Sequence, residues 1–277
     1  MNTLEVTVLI GAGAFLAGLL GALTGLGGGV VIVPLLTLVF GIDFRYAVGA
    51  SLVSVIATSS GAAVAYVREG FTNVRLGMLL EVATTVGALF GAGLAGWIAP
   101  SALAVVFGVV LLGSAWFSAQ PRPEHVVETP DPLAARLHLD GTYPSLQGEK
   151  HYHVQRVPLG FGIMAGAGAL SGMLGIGSGA LKVLAMDQAM CLPFKVSTTT
   201  SNFMIGVTAA ASAGIYLARG YVDPGLAMPV VLGVLAGATI GARLLTTTRS
   251  AMLRMIFAVV VAALGVEMIL NGLHGRI

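Results

Sequence analysis

The sequence predicts an all-α polytopic membrane protein built from two inverted repeats of about five membrane segments each. Its composition, its series of apolar runs and a glycine-rich element that occurs twice all indicate this class. Hydrophobic residues make up 56% of the 277 residues, charged residues make up 9%, and the mean hydropathy is +0.93. A soluble globule of this size would need more polar surface, so the chain is expected to lie in a membrane.

The first membrane repeat is predicted to occupy residues 1–119. Its five apolar runs cover residues 6–24, 28–41, 47–67, 75–97 and 100–118. A run of about 20 residues can cross a bilayer as a helix. The second run is short and contains Pro34, so it is either a tilted short helix or half of a re-entrant hairpin. No basic residue precedes the first run, which we expect to be a retained membrane segment rather than a signal peptide.

Residues 120–157 change abruptly in composition. They hold five acids, four bases and four histidines, with almost no apolar periodicity. This composition predicts a hydrophilic, solvent-exposed cytoplasmic linker between the two membrane repeats. His151 and His153 are too few to indicate a metal site, and the sequence predicts no metal and no cofactor.

The second membrane repeat is predicted to occupy residues 158–277. Its apolar runs cover residues 158–174, 178–190, 196–217, 226–245 and 251–272. A shift of 150 positions lays the glycines of the first glycine element on those of the second. Between that element and Gly70 the best match of residue types slips by two and lays Ser51 on Thr199. So many coincident glycines indicate an internal duplication.

Orientation follows from the distribution of Lys and Arg. If the N-terminus is outside, the outside loops hold only Arg45, Arg219 and Arg276, and all other loop cations are inside. Each half then crosses the membrane an odd number of times, which predicts inverted repeats of the kind found in secondary transporters. The second choice of topology has four crossings per half, which would make the two repeats parallel. The scattered cations give no basic face for nucleic acid.

The two glycine elements are Gly25-Leu26-Gly27-Gly28-Gly29 and Gly175-Ile176-Gly177-Ser178-Gly179. Glycine permits positive φ and removes the side chains that would keep a ligand from the backbone. Irregular backbone at membrane depth is tolerated where it is buried in protein or lines a cavity. The sequence therefore predicts that both elements break membrane helices near the midplane and share one binding site. The alternative is that the glycines only permit close helix packing.

Four stretches of the chain resemble motifs of the TauE/SafE family of membrane permeases, the sulfite exporter family. They are the first glycine element, the Ala-Val-Gly-Ala-Ser-Leu stretch at 47–52, and their counterparts in the second half, Gly-Ile-Gly-Ser-Gly and Lys-Val-Ser-Thr-Thr-Thr. The resemblance covers both membrane halves and leaves out the linker. It implies transport of small sulfur-containing anions such as sulfite, sulfoacetate or other organosulfonates, coupled to an ion gradient. A helical bundle with the loop charge bias described above fits a cytoplasmic (inner) membrane.

A helix that starts at a glycine run presents free N–H groups and a partial positive charge to an anion. The predicted substrate site combines these groups with nearby hydroxyls, an amide and one ammonium group. Its members are Gly27, Gly28, Gly29, Ser51, Gly177, Ser178, Gly179, Lys182, Thr199, Thr200 and Asn202.

Lys182 lies three residues past the second glycine element, inside an apolar stretch. A lysine at the centre of a membrane helix costs about 2.5–3.5 kcal/mol, so something should offset that cost. Either its ammonium attracts the substrate anion, or the side chain snorkels to the interface or pairs with Asp187. The sequence does not separate these hypotheses.

Glu81 and Glu267 lie within membrane segments. Each is either a proton carrier or an interfacial charge, with the interface favoured, and Glu81 is the first candidate if a proton is coupled. Asp187 is predicted to lie in a loop, and the lone Cys191 to be a small apolar filler near the membrane boundary.

Other function classes are less well supported by the sequence. All histidines lie in the linker or at the tail, and no motif of a metalloprotease, serine hydrolase or phosphate-binding loop occurs, so no enzyme is predicted. A passive anion channel or a permease for another organic anion remains the alternative. The expected partners are the anion, lipid and a coupling proton or cation. A homodimer stays open, because the glycine-rich fourth and ninth segments could pack within one chain or between two.

Overall fold

The computed structural model describes residues 3–24, 28–68, 70–119, 131–145, 148–245 and 250–277. The helices of the first half are α1 (Thr3–Thr24), α2 (Gly29–Pro34), α3 (Phe44–Arg68), α4 (Val74–Ala95) and α5 (Pro100–Ala119). Those of the second half are α7 (Val157–Leu174), α8 (Gly179–Leu184), α9 (Phe194–Ala218), α10 (Pro224–Leu245) and α11 (Ser250–Leu273). Two π-helical segments, π1 (Leu35–Val39) and π2 (Ala185–Ala189), continue α2 and α8. The prediction of an all-α polytopic membrane protein is confirmed.

Within the described ranges, four helices are long and apolar enough to cross a membrane. They are Val74–Ala95, Val157–Leu174, Phe194–Ala218 and Pro224–Gly241. Shorter apolar helices occupy Glu5–Gly21, Gly29–Val39, Pro100–Trp116 and Ala258–Leu273. The segment Gly29–Val39 is about 16 Å long at 1.5 Å per residue, against about 30 Å for the hydrocarbon core. The short second run is therefore about half as long as the hydrocarbon core is thick.

The helix boundaries of the two halves correspond under one constant shift. The first residues of α2, α3 and α5 lie 150 positions before those of α8, α9 and α11, and α4 and α10 keep the same offset. The predicted slip of two residues was therefore wrong, and Ser51 corresponds to Ser201 rather than Thr199. The slip arose because a run of hydroxyl residues in α9 offers several equally good matches of residue type.

The packing of the helices follows the repeat. Helix α1 packs on α10 as α4 packs on α7, while α5 packs on α11 and α3 on α9. Near the start of α3, Gly49 approaches the carbonyl oxygen of Tyr221, which follows α9. Near the start of α9, Thr199 donates to the carbonyl oxygen of Phe71, which follows α3. The two counterpart helices therefore run antiparallel, as inverted repeats would; the direction of each half across a bilayer stays a prediction.

Glycines bring the backbones of α4 and α7 into contact. A Cβ atom added to Gly87 would clash with the carbonyl oxygen of Ala165, and one added to Gly91 would clash with that of Ala169. Small residues allow this approach, which maximises van der Waals contact between membrane helices. The pair Gly87 and Gly91, whose partner the sequence left open, thus packs within the chain.

The described part of the linker is folded. It contains α6 (Pro132–Arg136) and an antiparallel hairpin of β1 (Gly141–Ser145) and β2 (Gly148–Tyr152). Its buried residues pack against apolar side chains of α4, α7, π2 and α9; they are Ala134, Leu139, Tyr143, Tyr152 and Val154. Most described linker residues are exposed, but these widely spaced apolar residues reach a shared core without forming a periodic pattern. Residues 120–130 lie outside the described residues.

Asn73 fastens the linker to the start of α4. Its side-chain amide donates to the Leu139 carbonyl at 2.7 Å and to the Tyr152 hydroxyl at 2.9 Å. Its side-chain oxygen caps α4 by accepting from the Leu76 N–H at 3.0 Å. Burial raises the pKa of Tyr152 to about 12, the Asn73 hydrogen bond opposes this, and Asp140 adds to it.

Two arginines meet at the opposite end of α4. Arg219 donates to the carbonyls of Ala92 and Gly93 at 2.8 and 2.9 Å, and Arg45 donates to that of Ile98 at 3.2 Å. The last carbonyls of a helix carry partial negative charge, which these cations neutralise. Both arginines were predicted to lie in outside loops, and the structure places them together at one end of the bundle.

We expect Gly87→Ala to lower the stability of the protein by roughly 1–3 kcal/mol, because the added methyl group forces two packed backbones apart. Gly93→Ala on the same helix is the control, since nothing lies within 4 Å of its added Cβ. Thermal unfolding in detergent, followed by size-exclusion chromatography, compares the two variants. Equal melting temperatures would contradict the packing described for α4 and α7.

Candidate functional site

The two glycine elements approach each other through α3. The Ser51 hydroxyl donates to the Gly175 carbonyl oxygen at 2.8 Å. A Cβ atom on Gly29 would lie 2.9 Å from the Ser51 hydroxyl and 3.1 Å from the Gly175 carbonyl oxygen. Gly28 is buried just before α2, and Gly27 lies outside the described residues. Gly29, Ser51 and the second glycine element therefore form one contact region.

The second glycine element has a left-handed backbone. The φ angles are +69° at Gly175, +68° at Gly177 and +48° at Ser178. A serine rarely adopts this conformation, which costs strain that the surroundings must hold. The hydroxyls of Ser178 and of the nearby Ser171 are buried and find no hydrogen-bond partner in the described part of the chain. Unpaired buried hydroxyls are groups that a polar ligand would satisfy.

Thr199 and Thr200 are turned toward a different part of the protein. The Thr199 hydroxyl donates to the Phe71 carbonyl at 3.0 Å, and the Thr200 hydroxyl accepts from the Asn73 N–H at 3.0 Å. Both hydroxyls hold the turn between α3 and α4. These hydrogen bonds are made at that turn, and the role of both threonines in substrate binding stays a prediction.

Ser201 takes the place that was predicted for these threonines. Its hydroxyl donates to the Gly179 carbonyl at 3.2 Å, as that of Ser51 does to Gly175. Applying the 150-residue shift without a slip would have identified it. The neighbouring Asn202 is buried, with 9% of its surface exposed.

Lys182 is completely buried and forms an ion pair across the bundle. It lies one turn after Ser178 on α8, and its backbone N–H donates to the Ser178 carbonyl at 2.9 Å. Its Nζ lies 3.7 Å from Glu81 Oε2 on α4, and 0% of the side chain is exposed. The ion pair therefore links α8 of the second half to α4 of the first half.

Lys182 and Glu81 are paired with each other inside the protein. Lys182 does not snorkel, because its whole side chain is enclosed, and its acidic partner is Glu81 rather than Asp187. Glu81 is buried with 9% exposure, whereas Glu267 is exposed on α11, as an interfacial charge would be. Asp187 is buried in π2 and not in a loop. Since a membrane charge is stabilised by a nearby opposite charge, the pair explains why both residues are tolerated.

Thr208 bridges the ion pair, and the sequence analysis missed it. Its hydroxyl accepts from Lys182 Nζ at 2.5 Å and donates to Glu81 Oε1 at 2.7 Å. Thr85 adds a second hydroxyl to the same carboxylate oxygen at 3.1 Å. Threonine is common in membrane helices, and only the spatial neighbours distinguish Thr208 from the others.

The charged cluster occurs on one side of the repeat only. Under the 150-residue shift, the counterparts of Lys182 and Glu81 are Ile32 and Val231. Thr58 is the counterpart of Thr208, but its hydroxyl donates to carbonyls of its own helix at 3.1 Å. The ion pair is therefore not repeated at the corresponding positions of the other half.

No metal site emerges from the described residues, among which no three His, Cys, Asp or Glu side chains gather. His153 Nδ1 instead lies 3.1 Å from Asp140 Oδ2 within the linker.

The fold and the site define a polytopic helical membrane protein with a duplicated, glycine-rich scaffold and one buried ion pair. Residues 10–268 match the family described as "Sulfite exporter TauE/SafE". The chain belongs to this family, and the resemblance inferred from its glycine elements is confirmed.

Curated relatives match over nearly the full length. "Probable membrane transporter protein YunE" of Bacillus subtilis is 26% identical over 268 residues, covering 93% of this chain and 95% of the relative. "Probable membrane transporter protein YdhB" of the same organism is 29% identical over 231 residues, covering 83% of this chain and 86% of the relative. A "Probable membrane transporter protein" of Xylella fastidiosa is 26% identical over 97% of both chains. No solved structure matches the chain. The protein is a multi-pass membrane transporter.

We expect Thr208→Val to lower stability by roughly 1.5–3 kcal/mol, because it removes hydrogen bonds to two buried charged groups. Its matched control is Thr58→Val at the corresponding position of the first half, where the hydroxyl bonds only within its own helix. Chemical denaturation in detergent measures both. Equal losses would contradict the bridging role of Thr208.

Proposed function

We propose that the protein is a secondary transporter that moves a small sulfur-containing anion, such as sulfite, sulfoacetate or a related organosulfonate, across the cytoplasmic (inner) membrane. Transport is coupled to an ion gradient and proceeds by alternating access. Membership in a family described as sulfite exporters supports the substrate class. The excess of loop Lys and Arg on one predicted side supports a cytoplasmic membrane.

The observation that carries this proposal is the enclosed ammonium group of Lys182. Its side chain is 0% exposed and lies one turn beyond the second glycine element. A cation in a low-dielectric interior attracts an anion far more strongly than it does in water. In membrane transporters, such residues mark the path of substrates and ions. Lys182 is therefore the group that selects a negative substrate.

Hydroxyl groups around the second glycine element complete the proposed site. Ser178 and Ser171 carry buried hydroxyls with no hydrogen-bond partner among the described residues, and Ser178 lies one turn before Lys182. The three oxygen atoms of a sulfonate or sulfite accept hydrogen bonds in several directions. Binding such a group would satisfy polar atoms whose burial is otherwise unfavourable.

The burial of Lys182 favours a carrier over a passive channel. An open anion pore would leave its selecting cation in contact with water. Here the ammonium has no exposed surface, so an anion reaches it only after the helices move. A site that is closed in one conformation and opened by the movement of one repeat against the other is the plan of alternating access.

We expect purified protein in proteoliposomes to show saturable flux of labelled sulfite or of a small organosulfonate, and Lys182→Ala to abolish it. Removing the ammonium group removes the attraction that selects the anion. Lys195→Ala is the control, because Lys195 is an exposed lysine at the start of α9 and contacts the Phe71 ring.

Since Lys182→Ala leaves the Glu81 carboxylate unpaired, Lys182→Ala/Glu81→Gln is measured alongside it. Size-exclusion profiles establish that all variants are folded. Full flux in a folded Lys182 variant would remove this residue from the site. A sustained single-channel current, together with flux that does not saturate, would favour a passive anion channel over a carrier. Absence of flux for every sulfur anion would contradict the substrate class.

A further inference from the structure

The position beside Lys182 that a substrate anion would occupy already faces a protein carboxylate. Glu81 Oε2 lies 3.7 Å from Lys182 Nζ, which is ion-pair distance but too long for a hydrogen bond. Oε2 finds no hydrogen-bond partner among the described residues. The other oxygen, Oε1, is held by the hydroxyls of Thr208 and Thr85. One half of the carboxylate is anchored, and the half that faces the ammonium is not.

We propose that Glu81 is an exchangeable counter-ion: the substrate anion replaces its carboxylate at Lys182 while Glu81 takes up one proton, so that one proton and one monovalent anion move together. This inference rests on the proposed function and specifies its coupling ion, its stoichiometry and the charge of its substrate.

Charge balance in the buried site supports the exchange. With Lys182 protonated and Glu81 ionised, the pair has no net charge. Adding a monovalent anion alone would leave one excess negative charge in a low-dielectric interior, which is strongly unfavourable. Taking up one proton on Glu81 restores neutrality, and the proton leaves again when the anion does. The two binding events are therefore linked, and each favours the other.

The surroundings of Glu81 contain one opposing charge that its side chain contacts. Helix α7, which packs on α4, has no titratable residue in its sequence, and α9 has only Lys195 and Tyr216 at its two ends. In π2, the buried Asp187 follows Lys182 by five positions. On α4 itself, Arg75 is exposed near the helix start. Lys182 is thus the cation whose ion pair with Glu81 the substrate anion would replace.

Thr208 suits both states of the exchange. Its hydroxyl contacts Lys182 Nζ and Glu81 Oε1 together. A hydroxyl can donate to an ionised carboxylate and can turn to donate to a bound anion when the carboxyl group is protonated. The Glu81 side chain also keeps 11% exposure while that of Lys182 has none. This accessible surface does not include Oε2, which is itself buried, so the proton reaches Oε2 only after the helices move.

The same charge balance restricts the substrate. A monovalent sulfonate, or sulfite in its hydrogensulfite form, leaves the protonated site neutral. Sulfoacetate carries a sulfonate and a carboxylate, and one proton on Glu81 does not compensate both charges. The transporter should therefore prefer methanesulfonate, a monovalent sulfonate, over the divalent sulfoacetate at neutral pH.

The first measurement uses wild-type proteoliposomes with an imposed pH gradient and labelled methanesulfonate. For one proton per monovalent anion, a gradient of one pH unit should support about tenfold accumulation, whatever the membrane potential. A pH-sensitive dye inside the vesicles counts the protons that accompany the anion. Accumulation that follows the potential instead, or a ratio of protons to anions near zero, would overturn the proposal without any variant.

The second measurement compares Glu81→Gln with Glu267→Gln, in which the amide replaces an exposed carboxylate of α11. Glu81→Gln should retain exchange of internal for external methanesulfonate, because Lys182 is still present. It should lose accumulation driven by the pH gradient, so that the ratio falls from about tenfold to about one. The apparent affinity of this variant for methanesulfonate should also lose its dependence on pH. Glu267→Gln should match the wild type in all three.

The outcomes separate this proposal from the proposed function. If wild-type protein moves no sulfur anion, the function itself fails. If it shows saturable flux but Glu81→Gln keeps its gradient-driven accumulation, the function stands and the exchange at Glu81 is wrong. Should Glu81→Gln not fold, the wild-type stoichiometry alone decides.

Discussion

A lysine ammonium enclosed among apolar helices needs an opposite charge close by, and the ion pair of Lys182 and Glu81 meets this need by joining the two halves of the chain. The pair forms only if α8 and α4 come together with α9 between them, where Thr208 bonds to both charges. Breaking such a pair on one side leaves a buried charge without compensation, which is strongly destabilising. The arrangement of three helices is therefore coupled to one electrostatic contact.

Close backbone packing makes this geometry reproducible. Gly87 and Gly91 let α4 lie directly on α7, and the corresponding glycine-rich contact joins α10 to α1. In lipid, helices gain little from hydrophobic burial and depend on close contact between small residues. These glycines thus hold α4, which carries Glu81, directly against α7. The folded linker adds a further layer by packing its tyrosines over the start of α4 and α9.

Duplication has produced two similar scaffolds, and the ion pair of Lys182 and Glu81 has no counterpart at the corresponding positions. The shift of 150 residues preserves the first residues of four of the five helices, yet Ile32 and Val231 are the counterparts of Lys182 and Glu81. A second buried pair would add the desolvation of two more charges. The scaffold keeps its approximate symmetry because packing depends on backbone shape, whereas the chemistry of the site depends on a few side chains that are free to differ.

The sequence by itself determined the membrane class, the positions of the ten helical segments, the internal duplication and the family, because hydropathy and glycine spacing are local or periodic signals. It also pointed to Lys182, since a charge within an apolar run is conspicuous. Only the tertiary structure decided that Glu81 is its partner, that Ser201 rather than Thr199 reaches the glycine element, and that part of the linker is buried. These are contacts between residues far apart in the chain, and residue type and spacing do not specify which helix faces come together.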